Sequence, residues 1–215
     1  MRELVLRPLW TAKGLIARMA QSGETRTMDG AWTDEALAER VRASGDTAAF
    51  ALLVERYRGR LLALARRMLS GAGPEEAEDI VQEAFLAAFD RRATYRKDSS
   101  YRPWLYRITV NRCLDKLRAH GRAPATLVLD AVCDPADQSD TPLQHLLTEE
   151  FQERLQAAVG GLPPKYRAVF LLRHLDDLTY DEIAVATELP VGTVKTHLFR
   201  ARAQLRTALS GYWES

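Results

Sequence analysis

The sequence is poor in cysteine, has no long apolar run and carries almost no net charge, and each shortage removes a class of protein. Its two cysteines, Cys113 and Cys133, lack the paired spacing of a zinc site and are too few for a disulfide framework, so a reducing, cytosolic setting is expected. No apolar run approaches the roughly 20 residues of a membrane span. Near the amino terminus Leu4-Val5-Leu6 is broken by Arg7 before the apolar stretch of a signal peptide could form, so neither secretion nor membrane insertion is expected. Strand-like alternation and internal repeats are missing too. His120, His145, His174 and His197 are scattered, and no nucleophile–base pair, phosphate loop or metal-ligand cluster stands out. An enzyme is not expected, nor a metal or other cofactor.

What the chain does have is segregated charge. Its 30 Lys+Arg nearly cancel 29 Asp+Glu over 215 residues, but the signs occur in blocks. Residues 74–90 hold Glu75, Glu76, Glu78, Asp79, Glu83 and Asp90 with no Lys or Arg. Residues 91–118 reverse this, setting Arg91, Arg92, Arg96, Lys97, Arg102, Arg107, Arg112, Lys116 and Arg118 against Asp98 and Asp115. Residues 121–150 are acidic again, and 190–212 carry Lys195, Arg200, Arg202 and Arg206 without an acid. Two basic surfaces suit a polyanion, and the acidic helix at 74–90 suits something else.

The periodicity is helical. Phe50, Leu53, Tyr57, Leu61, Leu64 and Met68 recur at steps of three and four, one apolar stripe. Gly71-Ala72-Gly73 ends that helix and Pro74 begins the next. Residues 1–30 are weakly periodic and read as a loosely ordered extension, with Met28 a candidate physiological start. Helices fill 31–118. Pro124, Pro135 and Pro142 mark 119–150 as a flexible acidic linker, and a second helical block occupies 151–212, punctuated by Gly160-Gly161 and Pro163-Pro164. The expected fold is all-α, two small helical domains joined by that linker.

The second block contains the most specific local pattern. Thr179-Tyr180-Asp181-Glu182 is a capping box, the threonine hydroxyl serving the Glu182 amide while the carboxylate reaches back. A short helix to about Thr187, with Ile183 and Ala184 inward, is broken at Glu188-Leu189-Pro190. A basic helix then begins near Val191-Gly192-Thr193. Short helix, tight turn and longer basic helix make a helix-turn-helix. Lys195, Thr196, Phe199 and Arg200 lie where a recognition helix meets base edges. Val194, Leu198, Ala201 and Leu205 form the opposite, inward stripe, and Arg202 and Arg206 extend the basic surface towards phosphates.

In the acidic helix Ala77, Ile80, Val81, Ala84 and Ala88 face inward, which leaves Glu76, Asp79 and Glu83 outside with Gln82 alongside. That face is either solvated or a dock for a basic protein partner. The following segment interleaves rings and cations: Tyr95, Arg96, Lys97, Tyr101, Arg102, Trp104, Tyr106, Arg107. Single-stranded nucleic acid is held by such mixtures, bases stacking on rings while cations follow phosphates. Pro103 starts a helix that aligns Trp104, Arg107, Asn111 and Arg118. From the residues alone, a stand-alone helix-turn-helix regulator stays open.

Asp79-Ile80-Val81-Gln82-Glu83-Ala84-Phe85 followed by Tyr101-Arg102-Pro103-Trp104-Leu105-Tyr106-Arg107-Ile108 resembles region 2 of bacterial sigma factors. Leu162-Pro163-Pro164-Lys165-Tyr166-Arg167, then Tyr180-Asp181-Glu182-Ile183-Ala184 and Pro190-Val191-Gly192-Thr193-Val194-Lys195-Thr196, resembles region 4. With those two regions only, the chain resembles the extracytoplasmic-function (ECF) class of the sigma-70 family. The resemblance implies a cytoplasmic promoter-specificity subunit that binds core RNA polymerase, through the β′ clamp helices and β flap, and promoter DNA. Asp79, Gln82 and Glu83 would touch the polymerase core. Arg96, Lys97, Ser99, Tyr101, Trp104, Arg107, Asn111 and Arg112 would hold the melted −10 element, Asn111 reading the strand and loop 96–102 accepting a flipped base. Thr193, Lys195, Thr196, Phe199, Arg200 and Arg202 would read the −35 element. An anti-sigma factor is an expected partner, and a stress or envelope regulon the expected target.

Overall fold

A computed structural model describes residues 32–70, 73–96, 99–121 and 149–210. The expected extension, Met28, Lys97, Cys133 and nearly all of the linker lie outside the described residues. Those described form eight α-helices and one 3-10 turn, Arg92–Thr94. The helices are α1 Asp34–Ser44, α2 Thr47–Met68, α3 Pro74–Asp90, α4 Tyr101–Ala119, α5 Glu149–Gly161, α6 Pro164–His174, α7 Tyr180–Thr187 and α8 Val191–Ala208. The fold is all-α.

Local chemistry explains most boundaries. Thr33 caps α1 by accepting from the Ala36 amide at 3.2 Å, and Gly45 ends it in the left-handed region that glycine enters without strain. Asp46 then accepts from the amides of Ala48 and Ala49, both at 3.0 Å, to open α2. Pro74 occupies the first turn of α3, where its missing N–H has no intrahelical partner to lose. Helix α4 begins at Tyr101, two residues before Pro103, because a first-turn proline is as well tolerated at its third position.

Helices α1–α4 bury the expected stripe of α2 against Ala77, Ile80, Val81, Ala84 and Ala88 of α3. Phe50 meets Phe85 edge-on at 6.2 Å between centroids and Phe89 at 5.1 Å. Each fully buried Leu or Phe here contributes about 1.5–3 kcal/mol relative to exposure. Helices α5–α8 wrap Leu172, Leu178, Ile183, Val194 and Leu198 in the same way, and the buried residues of the two sets form one contiguous cluster.

Two expectations shift. Gly160-Gly161 does not interrupt the chain but forms the last turn of α5. At Gly160 a Cβ would sit 2.8 Å from the Ser70 hydroxyl oxygen, which itself donates to the Gly160 carbonyl at 3.3 Å, so the glycine serves a close approach between the two helical sets. In α7, Ala186 rather than Ala184 accompanies Ile183 into the core, and Ala184 is half-buried.

Candidate nucleic-acid interfaces

On α3, Asp79, Gln82 and Glu83 are all exposed, because the inward stripe rotates them to the far side of the helix. The Glu83 carboxylate lies 3.8 Å from Arg112 of α4, and Glu78 lies 3.6 Å from Arg66. Pairs this exposed contribute little to stability, so the acids stay available to a basic partner. Glu76, expected on the same face, is instead half-buried.

The aromatic-basic segment divides. Tyr101 and Trp104 are only 3% and 5% exposed, and their centroids lie 5.6 Å apart. Tyr95 touches both rings and donates through its hydroxyl to the Ser99 carbonyl at 2.8 Å, tying the loop to the cluster. Here the rings build the core of the first helical set, as interleaved aromatics generally do. Burial pushes the Tyr95 hydroxyl up to about 12 and Tyr101 further. What remains outside the core is exposed Arg96 and half-buried Ser99, Arg107, Asn111 and Arg112, the last three forming a polar stripe on α4.

That stripe is met by the second helical set. The Glu188 carboxylate lies 3.6 Å from Arg107 Nη1 and accepts from Asn111 Nδ2 at 3.4 Å. Beneath it, the Tyr106 hydroxyl donates to Asp176 Oδ1 at 2.5 Å, and Arg102 donates to the Asp176 carbonyl oxygen. Burial raises the Asp176 carboxyl pKa, against the opposing pull of Tyr106, Arg102 and Arg60. Sequence reasoning missed Glu188, Asp176 and Arg102 as a group, since their partners lie 70 or more positions away. The structure also sets Glu188 in the left-handed region that ends α7, at φ +56°.

The helix-turn-helix forms as expected. Thr179 and Glu182 exchange both capping hydrogen bonds, at 3.2 and 2.9 Å. On α8, Phe199 is 50% exposed, a large apolar group facing solvent on a basic helix, as a surface awaiting a partner would place it. Lys195 is exposed with Nζ 5.9 Å from the Tyr180 ring centroid, and Thr193 and Thr196 are half-exposed. Arg200 leans to one edge of the helix, donating to the Tyr166 hydroxyl at 3.2 Å. Arg202 leans to the other edge, 3.5 Å from His174. Half-buried His197 packs its ring at a tilt on that of buried Tyr166, centroids 4.8 Å apart; burial, helped by Lys165 and Arg200, lowers its pKa to about 4 and keeps it neutral.

Cys113 is fully buried, and burial raises its thiol pKa to about 12, which leaves it unreactive at neutral pH. Among the described residues no His/Cys/Asp/Glu group could hold a metal ion, and no helix is long and apolar enough to cross a membrane.

A helix-turn-helix with an exposed reading face, an acidic helix turned outward and a basic polar stripe together define a protein that meets nucleic acid and a protein partner. Sequence families agree with that geometry: the sigma-70 region 2 family matches residues 53–123 and the sigma-70 region 4 family residues 152–205. The chain is 38% identical over 177 residues to the ECF RNA polymerase sigma-E factor of Escherichia coli K12, spanning 79% of this chain and 91% of that one. It is 36% identical over 183 residues to the RNA polymerase sigma-H factor of Pseudomonas aeruginosa, spanning 82% and 93%. Among solved structures, CnrH in complex with the cytosolic domain of CnrY superposes with a TM-score of 0.61 at 27% identity, covering 83% of this chain and 97% of that one. A second, the sigma factor RpoE with the anti-sigma factor NepR from Bartonella quintana, gives 0.55 at 22% identity, covering 75% and 96%, and supports the fold alone. The chain belongs to the sigma-70 family, in its ECF class.

Proposed function

We propose that this sigma factor is the promoter-specificity subunit that carries core RNA polymerase to −35 and −10 elements, opens the −10 region and starts transcription of a stress or envelope regulon. Asp79, Gln82 and Glu83 dock on the β′ clamp helices, and the second helical set meets the β flap. Arg96, Lys97, Ser99, Arg107, Asn111 and Arg112 grip the opened −10 strand, with Tyr101 and Trp104 behind them as the wall of the base pocket. Thr193, Lys195, Thr196, Phe199, Arg200 and Arg202 read the −35 element in the major groove. The work is done in the cytoplasm, without a cofactor, and an anti-sigma factor holds the protein inactive; the similar structure of CnrH, solved in complex with the cytosolic domain of CnrY, supports a protein partner of that kind. The observation that carries the reading is the exposed Phe199 on a basic helix behind a capped, tightly turned α7, in one chain with the outward acids of α3.

The test is reconstitution. The purified chain is mixed with core polymerase and a promoter library, and transcripts are sequenced. Start sites that share −35 and −10 elements are expected only when both proteins are present. Sequence-specific duplex binding by the free chain, with no transcripts, would instead assign a stand-alone regulator.

A further inference from the structure

We propose that Tyr166 is a positioning residue for −35 recognition: its hydroxyl fixes the direction of the Arg200 guanidinium and so sharpens the choice of one base pair. The inference rests on the sigma-factor reading above and deepens it, because Tyr166 belongs to α6 and not to the recognition helix.

The geometry joins a long, pliant cation to a fixed anchor. Arg200 is half-buried on α8 and donates from Nη1 to the Tyr166 hydroxyl at 3.2 Å. Two parallel donors on guanine O6 and N7 require the plane of the arginine fork to be set in advance. A hydrogen bond from one nitrogen to a stationary oxygen restrains the swing of that plane.

Tyr166 can hold the oxygen still because it is itself held. It is 6% exposed in the first turn of α6, and its neighbour Arg167 is tied to three main-chain oxygens. His197 lies three residues before Arg200, on the same flank of α8, and its ring clamps the tyrosine with centroids 4.8 Å apart. That ring is neutral, since burial lowers its pKa to about 4, so the clamp sets no second charge beside the Arg200 cation.

Lys195 is held differently. Its Nζ lies 5.9 Å from the Tyr180 ring centroid, and a ring face attracts an ammonium without fixing where its protons point. Of these two basic readers, Arg200 is the one given a direction. A side chain ordered by the fold before DNA arrives delivers the full value of its fork to the right base and is left unpaired on a wrong one.

The experiment transcribes a promoter library varied across the −35 element, using core polymerase with the full-length parent, Tyr166→Phe, Arg200→Ala or the double variant. Phenylalanine keeps the buried ring and removes only the hydroxyl. Tyr166→Phe should lose preference about two- to tenfold at the base pair that Arg200→Ala relaxes, and at no other. The double variant should lose no more there than Arg200→Ala does. NMR relaxation of the Arg200 Nε–H group should show a restrained guanidinium in the parent and a freer one in Tyr166→Phe.

A tyrosine that only supports the fold would lower transcription from every promoter alike. That uniform loss, an unchanged profile, or an equally restrained guanidinium in both chains would each overturn the inference. So would an Arg200→Ala profile in which no single base pair is relaxed. If circular dichroism shows that Tyr166→Phe does not fold, His197→Ala removes the clamp and keeps the hydroxyl. It should relax the same base pair, and a profile equal to the parent's would overturn the inference. If the parent gives no transcripts, the sigma reading fails instead, and the NMR comparison still decides whether Tyr166 positions Arg200.

Discussion

Arg167 of α6 donates through Nη1 to the main-chain oxygen of Met68, the last residue of α2, at 2.5 Å. Its Nη2 reaches the carbonyl oxygens of Gly160 and Leu162, the latter at 3.0 Å. The side chain is almost wholly buried, and burial lowers its pKa. A cation here meets a carbonyl without an intrahelical partner at the negative end of α2, which is why main-chain oxygens suffice to hold it. The guanidinium fork gathers three acceptors from two helical sets, and an ammonium could not span them.

Replacing Arg167 by Met should therefore destabilise the chain by about 1.5–3 kcal/mol, the worth of charge-assisted hydrogen bonds together with carbonyls left unsatisfied. Replacement by Lys should recover only part of this. Urea unfolding of the three proteins measures it; equal midpoints for Met and Arg would show that water replaces the fork.

His197 gives a pH dependence of definite sign. Its folded pKa is about 4, below the usual 6.5, so folding favours the neutral ring. The stability it contributes is fully present above pH 6.5 and is lost as pH falls towards 4. Asp46 acts in a lower window. The amides of Ala49 and Ala48 and the Arg40 guanidinium outweigh its burial and hold its pKa below 3.8. Denaturant midpoints between pH 7 and pH 4 should fall in the parent and stay flatter in His197→Gln. A parent profile that is level until below pH 4 would contradict the buried neutral ring.

Reversing charge on α3, with Asp79→Lys and Glu83→Lys, should weaken core polymerase binding without loss of helicity. Both groups are exposed, where substitution usually shifts stability by less than about 0.5 kcal/mol. Competition with a labelled parent for core polymerase reads the affinity, and unchanged competition would move the dock elsewhere.

Along α8, Arg200 and Arg206 should behave differently. Arg200 lies at the edge of the reading face, oriented by Tyr166, and Arg206 lies further along the helix and is exposed. Arg200→Ala should cost about 1–3 kcal/mol at one base pair of the −35 element and relax preference there. Arg206→Ala should weaken all promoters alike and lower the salt slope by about one. A library varied across the −35 element, transcribed with each holoenzyme, separates the two. Uniform loss in both would leave this helix as a phosphate grip.

The sequence exposed what is local. The stripe from Phe50 to Met68, the capping box at Thr179, the Pro74 start and the outward Asp79 and Glu83 of α3 all follow from local spacing, and each appears as expected. Tyr101 and Trp104 read as stacking rings in the sequence because an aromatic beside arginine fits a stacking platform and a buried core alike, and only packing separates the two. Gly160 looked like a break because its reason, the neighbouring Ser70, is 90 positions away. The roles of Glu188 and Asp176 are not legible in the sequence for the same reason: what they touch is set by how two helical sets meet.

The contacts that join those sets also differ in how they would register over generations of substitution. Arg102 and Arg167 grip the peptide oxygens of Asp176 and Met68, and Ser70 grips that of Gly160. Every amino acid supplies that oxygen, so the accepting position can drift while the donor stays fixed, and no correlated change records the contact. Only Tyr106 with Asp176, and Glu188 with Arg107 and Asn111, join side chain to side chain across the interface in this group. A search for paired substitutions among relatives would thus detect these side-chain pairs and overlook most of the joint between the two helical sets.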